Sequence, residues 1–425
     1  MILFENEISK RRRRFEAVLD GIDGIILVSC GAPLPKPGGL DQTYPFIAHP
    51  EYYWLTGSRR PDAVIAYDSE SGWTHFVTPV SAAERLWEGD AVAPEGRGLD
   101  ELPAWLEARP GRRKALLGQW AQNDAPNDVE FTVLAQQRLN AARRPKDSAE
   151  IDILRTAIRA TAAGHARAME FVRPGVSERA IQIEMEAAMF RAGADEVGYA
   201  SIVGSGHRSA VLHGHPSDRI LAQDEFVLID AGAAVNGYTA DVTRTLCTGT
   251  MNAQRQHIYD IVLAAELAAI DASRAGVEWH EIHRTAAHVI AQGLVDLKIF
   301  VGDAEGLADR GAVSIFFPHG VGHMLGLGVR DVGGRAPDRE PGRTCCGAAV
   351  RVDLPLERGF VMTVEPGLYF VDAIIDSPSK RATYRDDVRW DELDKWRGIG
   401  GVRIEDNILV TSSGPPEVLT CDIPK

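Results

Sequence analysis

An α/β domain followed by an α+β domain is the architecture this sequence predicts, and three observations predict it. Short apolar runs alternate with helix-like stretches through residues 1–145, as they do where helices pack on a sheet. A basic, proline-marked junction, Arg143-Arg144-Pro145-Lys146, ends that pattern. Beyond it come two helices, a hairpin and two more helices, the order of a sheet covered on one side by helices. The chain has 425 residues, more than one ordinary core supports, so domains of 1–145 and 146–425 are expected.

In the first domain residues 5–20 read as a helix. Its apolar Ile8, Phe15, Val18 and Leu19 lie opposite the run Arg11-Arg12-Arg13-Arg14. That run reads as a solvated helix face rather than a targeting signal. GIILVSC (24–30) is a buried strand, and the Gly/Pro-rich GAPLPKPGGL after it is a loop. AVIAYD (63–68) and THFVTP (74–79) are strands around the turn SESG. Residues 101–109 are helical, KALLG (114–118) is a short strand, and 128–139 is helical again.

The second domain opens on a capped helix. Asp147 and Glu150 have capping-box spacing, and Ile151, Leu154, Ile158, Ala162 and Met169 follow at helical spacing. Arg173-Pro174-Gly175 breaks the chain, and Ser177 caps a helix over 178–192. Two amphipathic helices are expected at 253–274 and 278–297, with Gly276 between them.

Between the helix pairs lies EFVLIDAGAAVNGYTADVTRTL, 225–246, which reads as a β-hairpin. Asn236-Gly237 accepts positive φ at both centres of a type I′ turn. That turn places 232 opposite 241 and 230 opposite 243. Asp230 and Asp241 then share one face as diagonal neighbours. Asp is a poor strand former, and two in one apolar-flanked hairpin repel unless something positive lies between them. A divalent cation answers that need; a solvated face is the plain alternative. A bulge would reverse the parity.

Composition narrows the function. A net charge of −14 offers no basic surface to phosphates, so nucleic acid is not an expected partner. No apolar run reaches the roughly 18 residues a bilayer span needs, and no membrane partner is expected. The start MILFENEIS has no signal-peptide pattern. Cys30, Cys247, Cys345, Cys346 and Cys421 show neither CxxC nor framework spacing, which suggests reduced thiols and a cytoplasmic location. The adjacent Cys345-Cys346 reads as buried or incidental, with metal binding or oxidation as the alternative.

Four further stretches hold donors that suit a metal. In PHGVGH (318–323), His319 and His323 are four apart, but the glycines favour a loop or strand that other backbone approaches closely. In VMTVEPGLYF (361–370), Glu365 ends an apolar strand before a Pro-Gly turn. In GGVRIEDNILV (400–410), Arg403 and Glu405 share a strand face. In SAVLHGHP (209–216), His213 and His215 precede the hairpin. Alone, each Glu reads more readily as an exposed strand residue, and a lone His as structural. Together, two Asp, two Glu and one His make a hard, oxygen-rich set. It suits a pair of Mn²⁺ or Co²⁺ ions better than structural zinc. Four carboxylates sharing a pocket without a cation would repel strongly. Spacing alone does not show that the five converge.

The motifs IDAG…ADVTRT, HGVGH, TVEPGLYF and GVRIED, in that order, resemble the two-metal pita-bread peptidases: prolidase (Xaa-Pro dipeptidase), aminopeptidase P and methionine aminopeptidase. The resemblance implies an α/β creatinase-like N-terminal domain and an α+β pita-bread (creatinase/aminopeptidase-like) catalytic domain. It implies that Asp230 chelates one metal, that His323 and Glu365 hold the other, and that Asp241 and Glu405 bridge both. His213 matches the histidine that steadies the reacting intermediate, and His319 a second pocket histidine near substrate. Tyr199 matches a pocket tyrosine that supports the attacking-water network, and Arg403 the arginine beside the last glutamate. Glu365 also suits a proton shuttle from attacking water to leaving nitrogen. The implied cofactors are two divalent ions, Mn²⁺ first, then Co²⁺ or Zn²⁺. The implied assembly is a homodimer.

The N-terminal stretches HPEYYWLTG and PDAVIAYDSESGWTHFVTP resemble the proline-directed branch. The polar insertion between Glu365 and Glu405, with WDELDKWRGIGGVRIEDN at its end, resembles prolidase. Arg351 matches the prolidase arginine that pairs with a dipeptide's C-terminal carboxylate, a surface arginine being the alternative. One position departs from the family: Arg330 stands where a substrate-contacting histidine usually precedes Asp-Val-Gly. It either offers a substrate carboxylate a permanent charge or points away. The expectation is a dimetal hydrolase of Xaa-Pro dipeptides or short peptides. The first alternative is aminopeptidase P, acting on longer peptides. The second is a metal-free binding module on the same fold.

Overall fold

A computed structural model describes residues 3–39, 42–89, 93–120 and 127–425. Leu40, at the end of the predicted Gly/Pro loop, and the first two residues of the N-terminal stretch lie outside them. The chain divides into two units, Met1–Arg143 and Arg144–Lys425.

The first unit carries a five-stranded sheet in the order Arg97–Gly98, Gly72–Val77, Val64–Asp68, Ile25–Ser29, Lys114–Gly118. The three middle strands pair antiparallel, and each outer strand runs parallel to its neighbour. Ile25–Ser29 is buried along its whole length, as an unbroken apolar run predicts. Helices Leu3–Val18 and Val129–Arg143 pack on each other and bury Phe15, Phe131 and Leu139. The arginine run corrects its expectation. Arg13 is exposed, but Arg11 is buried and Arg12 and Arg14 are half-buried. Arg11 and Arg14 lie over the Trp54 ring at 5.9 and 5.0 Å, and Arg12 lies over Trp73 at 5.4 Å. Guanidinium planes stack on aromatic faces, so a basic run can be a packed face.

The second unit follows the predicted helix-pair, hairpin, helix-pair order. Helix Ser148–Phe171 opens with the capping box: the Asp147 and Glu150 side chains each accept from the other's backbone N–H at 2.9 Å. Ser177 caps helix Glu178–Arg191 by accepting from the Ala180 N–H at 3.1 Å. The second pair is Ala253–Ala272 and Trp279–Asp296. Met185 and Met189 of the first pair meet Val203, Val227 and Ile229 of the sheet. Ile258, Val262 and Ile290 of the second pair meet Met362, Val402 and Ile408.

The hairpin keeps the predicted register throughout. Asp230 faces Thr243 and Val235 faces Tyr238, and Asn236 and Gly237 take φ of 50° and 79°. Its two halves join different sheets. Phe226–Ala231 lies between Val242–Cys247 and Ile202–Ser205 in one sheet, whereas Ala233–Val235 lies between Tyr238–Thr239 and Glu196–Val197 in the other. Gly232 sits at the division, where a Cβ would come within 1.7 Å of the Ala240 carbonyl oxygen. Only glycine allows that approach.

One turn is absent. After Glu365 the chain does not reverse at Pro366-Gly367. It runs from strand Val361–Val364 into strand Gly367–Tyr369 and changes partner, from Asp406–Leu409 to Gly401–Arg403. Pro366 has no N–H for the ladder, so pairing lapses there without a reversal.

Candidate active site

The hairpin, segment 318–325 and the two interrupted strands meet around a cavity of about 380 Å³. The interruption of one strand leaves Glu365 at its edge, and that of the other leaves Ile404 and Glu405 between two short strands. Glu405 pairs with the hairpin instead, its N–H donating to the Thr243 carbonyl at 3.1 Å. Segment 321–325 lies along Val361–Glu365: the N–H of Thr363 donates to the His323 carbonyl at 2.9 Å, and that of Glu365 to Val321 at 2.8 Å. Gly322 makes this possible, since a Cβ there would come within 2.1 Å of the Thr363 oxygen. The predicted close backbone approach is thus met.

Asp230 and Asp241 point the same way and are buried. The Tyr199 hydroxyl lies between them, 2.6 Å from Asp230 Oδ1 and in hydrogen-bond contact with Asp241. A hydroxyl has one proton, so it serves one carboxylate at a time. Arg403 Nη2 donates to Asp230 Oδ2 at 2.5 Å and its Nε to Thr243 Oγ1 at 3.0 Å, while Thr243 Oγ1 donates to Glu405 Oε2 at 2.6 Å. His323 Nε2 lies 3.4 Å from Asp241 Oδ2 and 3.6 Å from Glu365 Oε1. Its Nδ1 is 3.1 Å from the Met324 carbonyl. A carbonyl only accepts, so Nδ1 carries a proton; against the effect of burial, Asp241 and Glu365 raise the imidazole above its usual range, and a cation at Nε2 would take the place of the second proton.

The donor set fits a divalent cation. The ligating atoms of Asp241, His323 and Glu405 lie within 4.8 Å of one another. Glu405 Oε1 is buried and has no hydrogen-bond partner among the described residues. Burial, then the Asp241 and Glu365 charges, push the Glu405 carboxyl well above the carboxylate range. Burial likewise raises Asp241 to about 6 against the pull of His323. A site that holds protons this firmly also attracts a cation. The donors are carboxylate oxygens and an imidazole with no sulfur, the set preferred by hard ions such as Mn²⁺.

The remaining singled-out residues also line this cavity. His319 is partly exposed, and His213, Arg330 and Arg351 are exposed along its wall. Burial holds His319 below the usual histidine range, which leaves it neutral. Its Nδ1 is 2.9 Å from the Gly320 carbonyl and its Nε2 2.9 Å from the Tyr369 hydroxyl. Arg403 Nη1 donates to that hydroxyl at 3.1 Å. Burial and the Arg330 charge both lower the Arg351 guanidinium. Neither glutamate is the exposed strand residue that each suggests alone: Glu405 is 1% exposed and Glu365 half-buried.

Tyr369 and Thr243 are the residues sequence reasoning missed. Thr243 had a signal, since the predicted register already placed it across from Asp230; Tyr369 had none while Pro366-Gly367 read as a turn.

Residues 152–412 match the metallopeptidase family M24, and residues 8–98 match the aminopeptidase P N-terminal domain. The probable Xaa-Pro aminopeptidase pepP of Botryotinia fuckeliana is 33% identical over 398 residues, spanning 89% of this chain and 86% of that protein. Aminopeptidase PepP of Pseudomonas aeruginosa superposes with a TM-score of 0.78 at 28% identity, over 98% of this chain and 96% of that one. Aminopeptidase P of Escherichia coli with the inhibitor Pro-Leu gives 0.78 at 27% identity, over 98% and 96%. These relatives bear the aminopeptidase P name, whereas the insertion points first to prolidase. The chain belongs to the metallopeptidase family M24 and joins an aminopeptidase P N-terminal domain to a pita-bread catalytic domain.

Proposed function

We propose that the protein is an Xaa-Pro aminopeptidase, which releases the first residue of peptides that carry proline second. The observation that carries this is the meeting of Asp230, Asp241, His323, Glu365 and Glu405 around one cavity. It is joined by the names of relatives 30–33% identical to the chain.

In this reading Asp230, Asp241, His323, Glu365 and Glu405 would hold two divalent cations, Asp241 and Glu405 being the residues that would serve both. Such ions polarise the scissile carbonyl and make water a nucleophile near neutral pH. The chain supplies the rest. Arg403 pairs with the Asp230 carboxylate and, through the Tyr369 hydroxyl, orients His319 toward substrate. Exposed His213 offers a donor to the oxygen that gains charge during attack, while neutral His319, its one N–H held by the Gly320 carbonyl, shapes the wall beside substrate. Glu365 takes a proton from the attacking water and returns it to the departing proline nitrogen. Tyr199 keeps the two aspartates in register. Proline's amide has no N–H and a fixed φ, so it suits a shaped cavity better than an extended-strand groove.

A second reading, Xaa-Pro dipeptidase, draws on one feature: Arg330 and Arg351 both line the cavity, as capture of a dipeptide carboxylate requires. Hydrolysis of Ala-Pro and Ala-Pro-Ala, with Mn²⁺, Co²⁺ or Zn²⁺ restored after chelation, separates the two. Higher kcat/KM on Ala-Pro-Ala is expected, with Mn²⁺ the best activator. Cleavage of Ala-Pro alone selects the dipeptidase. Absence of turnover with every metal selects a binding module. By family analogy we also propose a cytoplasmic homodimer, which light scattering and fractionation test. Among the described residues no helix is long and apolar enough to cross a membrane.

A further inference from the structure

One aromatic ring away from the cavity is a second group of donors, softer in kind. His283, on helix Trp279–Asp296, is fully buried. Its ring packs on Phe317 at 5.1 Å between centroids, and Phe317 stands edge-on to His319 at 5.0 Å. Neither His283 ring nitrogen has a hydrogen bond of ordinary geometry among the described residues. Burial keeps the ring neutral, with a pKa near 3, although the nearby Cys345 backbone favours its proton. A neutral imidazole with both nitrogens unmet is costly to bury unless its N–H finds an acceptor and its lone pair a donor or a cation.

Cys345 and Cys346 face that ring. Their sulfurs are 3.8 Å apart, and the donor atoms of the three residues lie within 4.8 Å of one another. Metal–sulfur bonds of about 2.3 Å at a tetrahedral angle require two sulfurs roughly 3.7 Å apart. Consecutive strand residues normally point to opposite sides. Here Cys346 and Gly347, at φ of 49° and 79°, turn the chain between Thr344–Cys345 and Ala348–Ala349. The same backbone turn in the long hairpin is filled by Asn236, the residue type it accepts at least cost. Cys is not favoured there, and the turn alone gives no reason for it. The two sulfurs share one hydrogen bond, from Cys345 to Cys346, which lowers the first thiol and, together with burial, raises the second, so the pair as it stands holds a proton that a cation would displace.

We propose that His283, Cys345 and Cys346 form a second metal site, which takes one thiophilic cation of the Zn²⁺ class. Binding releases the two thiol protons to solvent and uses a neutral His283 nitrogen. The site differs in kind from the oxygen-rich cavity, and this decides the test. Co²⁺ is titrated as the probe into thiol-reduced, Mn²⁺-loaded protein. A near-ultraviolet sulfur-to-cobalt band arises only from thiolate ligation, so exchange of Mn²⁺ in the cavity is silent in it. The expected result is that band at one Co²⁺ per chain, its displacement by Zn²⁺, and its loss in Cys345→Ser and in Cys346→Ser. Both variants should keep their Mn²⁺ content, and Cys247→Ser should keep the band. Absence of the band in reduced wild-type protein overturns the proposal, whatever the variants do. So does a band that survives in both cysteine variants.

Discussion

In the first unit Asp68 is buried among opposite charges: Arg109 Nε donates to it at 2.9 Å, Arg112 Nη2 lies at 3.1 Å and the Ser71 hydroxyl donates at 2.7 Å. Arg60 is equally enclosed and pairs with Glu84. In the second unit Asp230, Asp241, Glu365 and Glu405 share one cavity, with Arg403 and His323 as the cationic or cation-seeking groups among them. Arginines hold Asp68 ionised below the usual range despite its burial, whereas Asp241 and Glu405 are raised. Burial is common to both regions; balance is not. A paired buried charge holds a scaffold together. An unbalanced set stores a demand for a counter-ion, and that demand marks the place where chemistry occurs.

Neutralising one carboxylate in each region tests this contrast. Asp241→Asn should cut turnover on Ala-Pro-Ala by on the order of 10³-fold or more, because several kcal/mol of charge stabilisation goes with the shared ligand. Its fold should persist, and its metal-free form should resist urea at least as well as wild type, since repulsion is relieved. Near-wild-type turnover in excess Mn²⁺ would remove Asp241 from the shared role. Asp68→Asn should do the reverse. It leaves Arg109 and Arg112 without their buried anion and should cost about 2 kcal/mol in urea unfolding. Equal stability of the two variants would break the comparison.

Much of this was legible in the sequence wherever the deciding physics is local. The hairpin register follows from period-two alternation and the Asn236-Gly237 turn, both contained in one stretch. The Asp147–Glu150 box is set by residues three apart. Asp230 and Asp241 stood out because carboxylates sit badly in apolar strands, whereas Glu365 and Glu405 each read alone as exposed strand residues. What was illegible depends on partners distant in the chain. Arg11, Arg12 and Arg14 read as a solvated face because Trp54 and Trp73 lie far along the sequence. Pro366-Gly367 reads as a turn because nothing local reveals that Gly401–Arg403 is waiting to pair. His283 and Cys345 give no joint signal until the helix is laid beside the strand.

The two units should respond alike to acid, which sharpens where they differ. Burial, then Arg244, holds His165 near 4 in the second unit; burial, then Arg12, holds His75 near 4 in the first. His165 Nε2 donates to the Ala231 carbonyl at 3.1 Å. A histidine depressed on folding takes its proton near 6.5 when unfolded but only near 4 when folded. Stability is therefore whole above the unfolded value and falls as pH drops toward 4. For His165 alone the loss by pH 5 is about 2 kcal/mol. His165→Gln should flatten the difference between urea unfolding at pH 7 and pH 5 by about that amount. A variant whose pH dependence runs parallel to wild type would remove the histidine from the acid response.

The smallest effect concerns the cavity wall, where the charge imbalance changes sign. Arg351 and Arg330 are two exposed cations on a cavity whose floor is carboxylate. Arg330 disfavours the charge on Arg351, so an anion between or beside them is welcome. A peptide entering amino-terminus first would bring its positive end to the carboxylates and, if short, its C-terminal carboxylate to the arginines. Arg351→Ala should then raise KM about tenfold for Ala-Pro and Ala-Pro-Ala, or about 1.4 kcal/mol, with kcat little changed. The amidated Ala-Pro-Ala peptide provides the control. Its KM should be high with the wild-type protein and insensitive to the substitution, because no carboxylate remains to be paired. If free-acid and amide peptides lose affinity equally, Arg351 contributes packing, and the positive wall plays no part in choosing peptide length.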